Sequence, residues 1–379
     1  MRASYDAIVV GLGGMGSSTA YQLARRGRRV LGLEMFQAGH AFGSSHGEHR
    51  IIRSAYFEAP DYVPLIERAY ALWRELMAES GETDLLEMTG GLMLGAPETD
   101  VVAGSIASAR THNLPYLVLT PAETAARFPG FRLTDDMIAV FEENAGYLRP
   151  ERCTAAYQRL AAQHGAELRF EEEVTAWNAD SGGVVITTTR GEYRADRLVV
   201  TTGPWAAELL AGLGLPLEVE RIVNVHFQPT KPELFEREQC PIYIFQVTEG
   251  WYYGFPHIPG SGLKIGRHEN GEITTARTIR REIDADEIET LRRVLDRYMP
   301  GASGTVLKTL TCMYTNTPDE HFILDLHPLH PQVVFGCGFS GHGFKFASVI
   351  GEVLADLALE GATGHDIAFL ARDRFTDVG

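Results

Sequence analysis

The sequence predicts an α/β chain, α+β taken as a whole, in which a parallel-sheet unit is interleaved with a β-rich one. Three observations predict this. Strand, glycine-turn and helix pieces that suit a parallel sheet occur at the start, the middle and the end of the chain. From about Leu217 to Met313 the texture changes to alternating β-rich segments. No internal repeat or low-complexity linker divides the two textures, so interleaving explains them better than two consecutive units. At 379 residues the chain is long enough for about two to three domains.

Ala7–Val10 is a short, wholly apolar run, as a central parallel strand requires. Gly11-Leu-Gly-Gly-Met-Gly16 follows at once. Ser17–Arg26 then carries Ala20, Leu23 and Ala24 at helical spacing, and Gly27 suits its C-terminal cap. Val30–Leu33 is a second strand ending at Glu34. Gly43–Tyr56 is polar and rich in His and Arg, and reads as a long functional loop. Asp61–Ser80 is helical and Thr89–Leu94 a strand, with helices and loops to about Gly146. Pro150–His164 suits a helix, Ala166–Val174 a strand, and Arg197–Gly203 a buried strand ending in glycine. The β-rich stretch holds one helix, Ala285–Tyr298. The end returns to a strand, Val333–Phe335, a glycine-rich turn, Gly336–Gly343, and a helix, Phe346–Leu359.

The first of these pieces carries chemistry. In G-x-G-x-x-G the first glycine makes the tight turn, the second lets backbone approach a pyrophosphate, and the third permits close helix–strand packing. The helix N-terminus then offers N–H groups and a positive dipole end to phosphate. Gly11, Gly13 and Gly16 stand between strand and helix as this demands, and Glu34, about 20 residues on, ends the second strand where an acid would bind ribose hydroxyls. A glycine turn serving only packing is the plainer alternative. The unit is Rossmann-type and does not by itself separate NAD from FAD. Three further segments lean toward FAD, which needs more of the chain: Ser44–Arg50, Leu198–Trp205 and the turn Gly336–Gly343.

Composition excludes several classes. A formal net charge of −16 argues against nucleic-acid or anionic-membrane partners, which need a basic surface. No run reaches the ~18 apolar residues of a membrane span. Residues Met1–Asp6 lack a signal-peptide pattern and Thr376–Gly379 matches no targeting tail, so a cytoplasmic location is expected. The four cysteines stand far apart, fitting neither a disulfide framework nor a zinc site. His46, Glu48 and His49 match no zinc template, and no metal is expected. Lysine occurs only at Lys231, Lys264, Lys308 and Lys345.

Gly262–His268 suits a strand, and a period of two puts Lys264, Gly266 and His268 on one face: a polar wall beside open space, or a solvated sheet face. Trp251 and Tyr253 share a face of the preceding strand, Gly250–Phe255, with Pro259–Gly262 able to turn the hairpin. Aromatics there line either a pocket or the core. Arg50 and Arg53 share a face on a helix and point apart on a strand, and the residues leave that open. Lys345, at a helix start, would favour an anion. Cys312, in the strand-like Leu310–Tyr314, is on its own most simply a small buried hydrophobe.

Taken together, YDAIVVGLGGMG, SSHGEHRIIR, GWYYGFP, GLKIGRH, TCMYTNTPDEHFILDLHP and GFSGHGFKF make the chain resemble the monomeric sarcosine oxidase family, from about Tyr5 to the last helix. That family lies within the glycine-oxidase and D-amino-acid-oxidase superfamily, and N-methyltryptophan oxidase is a near relative. The resemblance implies a monomer that uses FAD and oxygen to oxidise the C–N bond of a small secondary amino acid, N-methyl or cyclic, such as sarcosine. Oxygen would be reduced to hydrogen peroxide. The alternatives are an N-methyltryptophan or a pipecolate- or proline-type imino-acid oxidase, and a flavin-binding module without turnover. An NAD-dependent dehydrogenase is a further rival.

The resemblance also implies that FAD is linked through the sulfur of Cys312, and that Arg53 and Lys345 grip the substrate carboxylate beside Gly341. Tyr253, His268 and Tyr314 would surround the substrate, and Lys264 with Arg50 would face the flavin and activate oxygen. Around the cofactor it places Gly11, Gly13, Gly14, Met15, Gly16, Glu34, Ser44, Ser45, His46, Arg50, Val174, Gly203, Trp205, Cys312, Gly338, Gly341, Gly343 and Lys345. Glu34 stands where the family pattern has Asp, and His49 where it has a smaller hydroxyl residue. The expected FAD-binding domain is 1–86, 148–216 and 318–379, and the substrate domain is 87–147 and 217–317.

Overall fold

The structure, a computed structural model, describes residues 4–375; the N-terminal residues and the C-terminal tail inspected for targeting signals lie partly or wholly outside them. Five strands run parallel in the spatial order Glu167–Arg169, Val30–Leu33, Ser4–Val10, Gly191–Val200 and His330–Cys337. The hairpin Val174–Asp180/Gly183–Thr188 and the strand Ile323–His327 add antiparallel strands. Helices Gly14–Arg25, Val63–Ser80, Pro150–Gln163 and Ala347–Glu360 pack together on this sheet through Ala20, Leu23, Trp73, Leu160, Ile350 and Val353, all buried.

Two glycines set the entry to the first helix. Gly11 has φ +88°, and a Cβ there would lie 2.6 Å from the Thr201 carbonyl oxygen. A Cβ on Gly16 would lie 1.8 Å from the Gly11 carbonyl oxygen, so the helix can rest on the strand only at glycine. Gly16→Ala is therefore expected to destabilise the protein by about 1–3 kcal/mol, the usual cost of overpacking. Denaturant unfolding checks this, and an unchanged midpoint would contradict it.

The second sheet has nine strands and is mostly antiparallel. Its central strands are Glu218–Gln228, Gly262–Arg267 and Gly250–Ile258, and Thr305–Asn316 pairs along the outer side of Glu218–Gln228. Period two divides its faces. Val225, Phe227, Leu263 and Ile265 pack under the helix Ala285–Tyr298 through Leu291, Val294 and Leu295. The alternate residues Asn224, His226, Lys264 and Gly266 face the other way, paired across the strands as Asn224 with Gly266 and His226 with Lys264. That second face is the polar one. A three-stranded sheet joins Arg50–Ile52, Gly146–Leu148 and Leu86–Met88.

The mixed α/β class holds, and several boundaries move. The first helix begins at Gly14, three residues before the expected start, because the glycine turn itself supplies its first turn. Within the long loop expected over Gly43–Tyr56, Arg50–Ile52 is a strand, held by pairing with the distant Gly146–Leu148. The stretch expected to hold only helices and loops contains the strands Leu117–Leu119 and Ile138–Glu142, the latter nearly all buried against Gly91–Gly95. Short apolar runs of this kind do not announce their state. Ala166–Val174 divides into Glu167–Arg169 and the start of Val174–Asp180, which pair with different neighbours.

Candidate active site

The strand ends of the parallel sheet and the N-terminus of helix Gly14–Arg25 open onto a cavity of about 410 Å³. Gly11, Gly13, Gly14, Met15, Glu34, Ser44, Ser45, Arg50, Val174, Gly203, Trp205, Cys312, Gly338, Gly341 and Gly343 border it. Three residues expected at the cofactor do not. Gly16 lies beneath the turn, in contact with Gly11. His46 stands behind Cys312, its Nε2 4.0 Å from Sγ. Lys345 borders the neighbouring cavity. At one end Glu34 accepts from the Leu12 N–H at 2.9 Å and the Phe36 N–H at 3.1 Å, which fixes its carboxylate at the rim. At the turn, Ser45 Oγ accepts from the Gly14 N–H at 3.0 Å.

Cys312 closes the other end. It projects from Thr305–Asn316, and Arg50 donates to its sulfur at 3.0 Å while also donating to the Ser44 and His49 carbonyls. Burial would push the thiol up, but Arg50, then His46 and Lys264, outweigh it and bring its pKa down to about 6. Burial pushes the other three buried thiols up. Cys312 is thus a thiolate at neutral pH, a nucleophile and not an inert apolar side chain.

A smaller cavity of about 60 Å³ adjoins the first, with Arg50, Tyr314, Gly341 and Phe344 bordering both. Arg53, Lys345, Tyr253 and His268 line it, joined by Ile51, Phe57, Glu58, Ile244, Phe255 and His342. The strand Arg50–Ile52 settles the open question of the two arginines: Arg50 turns to Cys312, while Arg53, just beyond the strand, turns into the small cavity. Arg53 is 1% exposed, lies over the rings of Tyr56 and Phe57, donates to the Ala55 carbonyl at 2.8 Å, and is paired with Glu58. Lys345 Nζ donates to the His342 carbonyl at 2.8 Å. Burial, then Arg53, brings Lys345 down to about 7, with Glu58 opposing.

One expectation about this wall is corrected. The space above Gly266 is filled: a Cβ there would lie 2.6 Å from Asn224 Oδ1 and 2.8 Å from the Tyr253 hydroxyl, and these two groups share a 2.8 Å hydrogen bond. The gap beside Lys264 and His268 is thus the seat of Tyr253. On the strand Ile242–Val247, Ile244 lines the small cavity while its neighbour Phe245 points into the core under the helix Ala285–Tyr298, because neighbours on a strand face opposite ways. Tyr253 does line the small cavity, whereas Trp251 stacks on His268 behind it, 5.9 Å between ring centres. His268 Nδ1 lies 3.4 Å from the Tyr314 hydroxyl.

The sequence profile of the FAD-dependent oxidoreductases matches residues 6–357. The chain belongs to that family. It is similar to the monomeric sarcosine oxidase of Streptomyces avermitilis, 46% identical over 372 residues that cover 97% of each chain. It is also similar to the N-methyl-L-tryptophan oxidase of Citrobacter koseri, 35% identical over 98% of this chain and 99% of the relative. Among solved structures it is similar to NikD, an unusual amino acid oxidase essential for nikkomycin biosynthesis, with a TM-score of 0.87 at 29% identity over 97% of each chain.

The residues of this FAD-dependent oxidoreductase fit its cofactor. The large cavity runs from the Glu34 carboxylate, past a helix N-terminus whose turn has no room for side chains, to a thiolate flanked by cations. Lys264, 1% exposed, borders neither cavity; its Nζ donates to the Gly47 carbonyl at 2.7 Å and the His49 carbonyl at 3.3 Å. Burial, then Arg50, brings it down to about 7. His268, lowered to about 4 chiefly by burial, is neutral. Among the described residues no group of three His, Cys, Asp or Glu side chains could hold a metal ion. Sequence reasoning missed Phe57, Glu58, Asn224 and His342. Glu58 lies only five residues past Arg53, and a buried arginine's need for a carboxylate was the one signal pointing to it.

Proposed function

We propose that this oxidoreductase oxidises the C–N bond of small secondary amino acids, sarcosine foremost, with oxygen as electron acceptor. The observation that carries this reading is the pair of buried cations, Arg53 and Lys345, in a small aromatic-walled cavity that adjoins the cofactor cavity. Cations there take a carboxylate, and Tyr253, Tyr314 and Phe255 leave apolar room for a methyl on nitrogen. The small size of this cavity beside the larger one suits a small substrate.

FAD, held between Glu34 and Cys312, would supply the two-electron acceptor for the C–N bond and the route by which those electrons reach oxygen to give hydrogen peroxide. The chain's own groups do the rest. Arg53 and Lys345 anchor the carboxylate and so fix the orientation of the C–N bond toward the larger cavity. Their positive charge, in a desolvated site, favours loss of the amine's proton, the form that must be oxidised. Water then hydrolyses the imine product. Lys264, beside Arg50 and Cys312, supplies positive charge for oxygen reduction. Anaerobic addition of sarcosine is expected to bleach the flavin absorbance; a spectrum left unchanged would reduce the protein to a flavin-binding module.

The reading includes a covalent bond between Cys312 and the flavin, supported by the thiolate held by Arg50 and His46. Acid-precipitated protein is expected to stay yellow, and Cys312→Ser to release its flavin under the same treatment. Colourless wild-type pellets would refute the bond and leave FAD binding intact. The same reading has a monomer acting in the cytoplasm, where four unpaired cysteines are at ease. It divides the chain into an FAD domain of 1–86, 148–216 and 318–379 and a substrate domain of 87–147 and 217–317.

A further inference from the structure

Tyr56 touches both cations of the small cavity without bordering it. The Arg53 guanidinium carbon lies 4.3 Å from the centre of its ring, and Lys345 Nζ lies 5.2 Å from that centre and 3.5 Å from the hydroxyl. The side chain is fully buried and closely held. Its ring packs against Tyr62 and, edge-on, against Phe346, and its backbone N–H donates to Ser108 Oγ at 3.1 Å.

The direction of the hydroxyl is decided beyond it, at His342. His342 Nε2 lies 2.9 Å from the Glu320 carbonyl, which can only accept, so Nε2 carries the hydrogen of the ring. Burial brings His342 down to about 3 against the opposing Glu58, so the ring is neutral and Nδ1 is bare. Nδ1 is paired with the Tyr56 hydroxyl, which must therefore donate to it. Burial holds that hydroxyl well above its usual pKa, so it keeps its proton and turns its lone pairs to Lys345. Glu320 presents its carbonyl from a left-handed backbone, φ +61°, a conformation a non-glycine residue holds only when its surroundings impose it. Lys345 itself has three N–H groups. One goes to the His342 carbonyl at 2.8 Å and a second to Tyr56, which among the described residues leaves the third for an anion in the cavity.

We propose that Tyr56 is a positioning residue of the carboxylate site: its ring seats Arg53, and its hydroxyl, turned by His342, holds the Lys345 ammonium beside it. The proposal rests on the reading that these two cations take the substrate's carboxylate. Two like charges in a buried site repel, and Arg53 adds to the burial that lowers Lys345. An acceptor aimed at Lys345 favours its charged form, and the aromatic face favours the guanidinium. The charged and titratable groups facing Lys345 are Arg53, Tyr56 and Glu58 from the segment after Arg50–Ile52, His342 from its own turn, and His268 from the end of Gly262–Arg267. The helix Val63–Ser80 meets it with Trp73, whose N–H donates to the Lys345 carbonyl at 2.8 Å.

With only four lysines in the chain, holoenzyme carrying isotope-labelled lysine gives few side-chain NMR signals, and Lys345→Met assigns the one that matters. Tyr56→Phe keeps the ring and removes only the oxygen. The midpoint of the Lys345 titration, near 7 in the wild type, is expected to move down by about one pH unit, the effect of one hydrogen bond to a charged group. Acetate binding, followed by flavin absorbance, is then expected to weaken about tenfold near pH 8 and about twofold or less near pH 5.5. In a Lys345→Met background the same substitution should weaken acetate about twofold or less. His342→Phe, expected to move Lys345 the same way by less, tests the same chain of donors if Tyr56→Phe does not fold. An unmoved Lys345 titration, or a loss of acetate affinity that is equal at both pH values or persists without Lys345, would overturn the positioning role. Acetate affinity left unchanged by both Arg53→Ala and Lys345→Met would instead overturn the carboxylate reading, and the Lys345 titration would still report on Tyr56.

Discussion

Arg53→Ala is expected to weaken inhibition by small carboxylates, and use of sarcosine, by about thirtyfold to several thousandfold, the cost of removing one partner from a buried charged contact. Amines without a carboxylate should lose far less. Part of the loss has a structural source, because Glu58 is then left in the cavity without its paired cation. Glu58 is held down at about 2: burial opposes its charge, and Arg53 and then His342 and Lys345 overcome that. Lys345→Met removes the second cation without that complication and is expected to give a smaller loss of the same selectivity. The sign of the pH dependence follows from Lys345. Its pKa is lowered to about 7, so its charge is present below that value and lost above it. Carboxylate affinity should therefore fall as pH rises through about 7 in the wild type and lose that step in Lys345→Met. Titration of inhibitor binding by flavin absorbance measures both.

Lys264→Met is expected to slow reoxidation of reduced flavin by about a hundredfold or more, the scale on which single preorganised groups that stabilise developing charge act. Anaerobic reduction by substrate should change much less, since Lys264 borders neither cavity and Tyr253 occupies the space between it and His268. Stopped-flow traces of the two half-reactions separate these effects. Equal losses in both would remove the specific role.

How much of this was legible in the sequence depended on whether the signal was local. Gly11, Gly13, Gly16 and Glu34 lie within one strand–turn–helix unit whose spacing states its own purpose, and the helix Ala285–Tyr298 was read to the residue. Cys312 was legible only through resemblance, because what makes it a thiolate is Arg50, brought from another sheet. The alternation of Gly262–His268 correctly put Lys264 and Gly266 on one face, yet the missing side chain read as empty space. Tyr253, from the neighbouring strand, fills it, and Asn224, from the strand on the other side, holds the tyrosine hydroxyl. The one signal for Glu58 was Arg53, five residues before it, while His342 and Asn224 had none, since each gains its meaning from groups distant in sequence. Arg50 and Arg53 were ambiguous for the same reason: the strand that separates them exists only because Gly146–Leu148 pairs with it.

The central claim is that the small cavity is built for a carboxylate and a secondary amine. Peroxide production by the purified holoenzyme tests it most directly, measured in air with sarcosine, glycine, N-methyltryptophan, proline, pipecolate and a methylamine lacking a carboxylate. Sarcosine, or a small cyclic imino acid, is expected to give the highest kcat/KM, well above glycine and above the amine without a carboxylate. Primary amino acids reacting best, or no peroxide from any secondary amine, would contradict it.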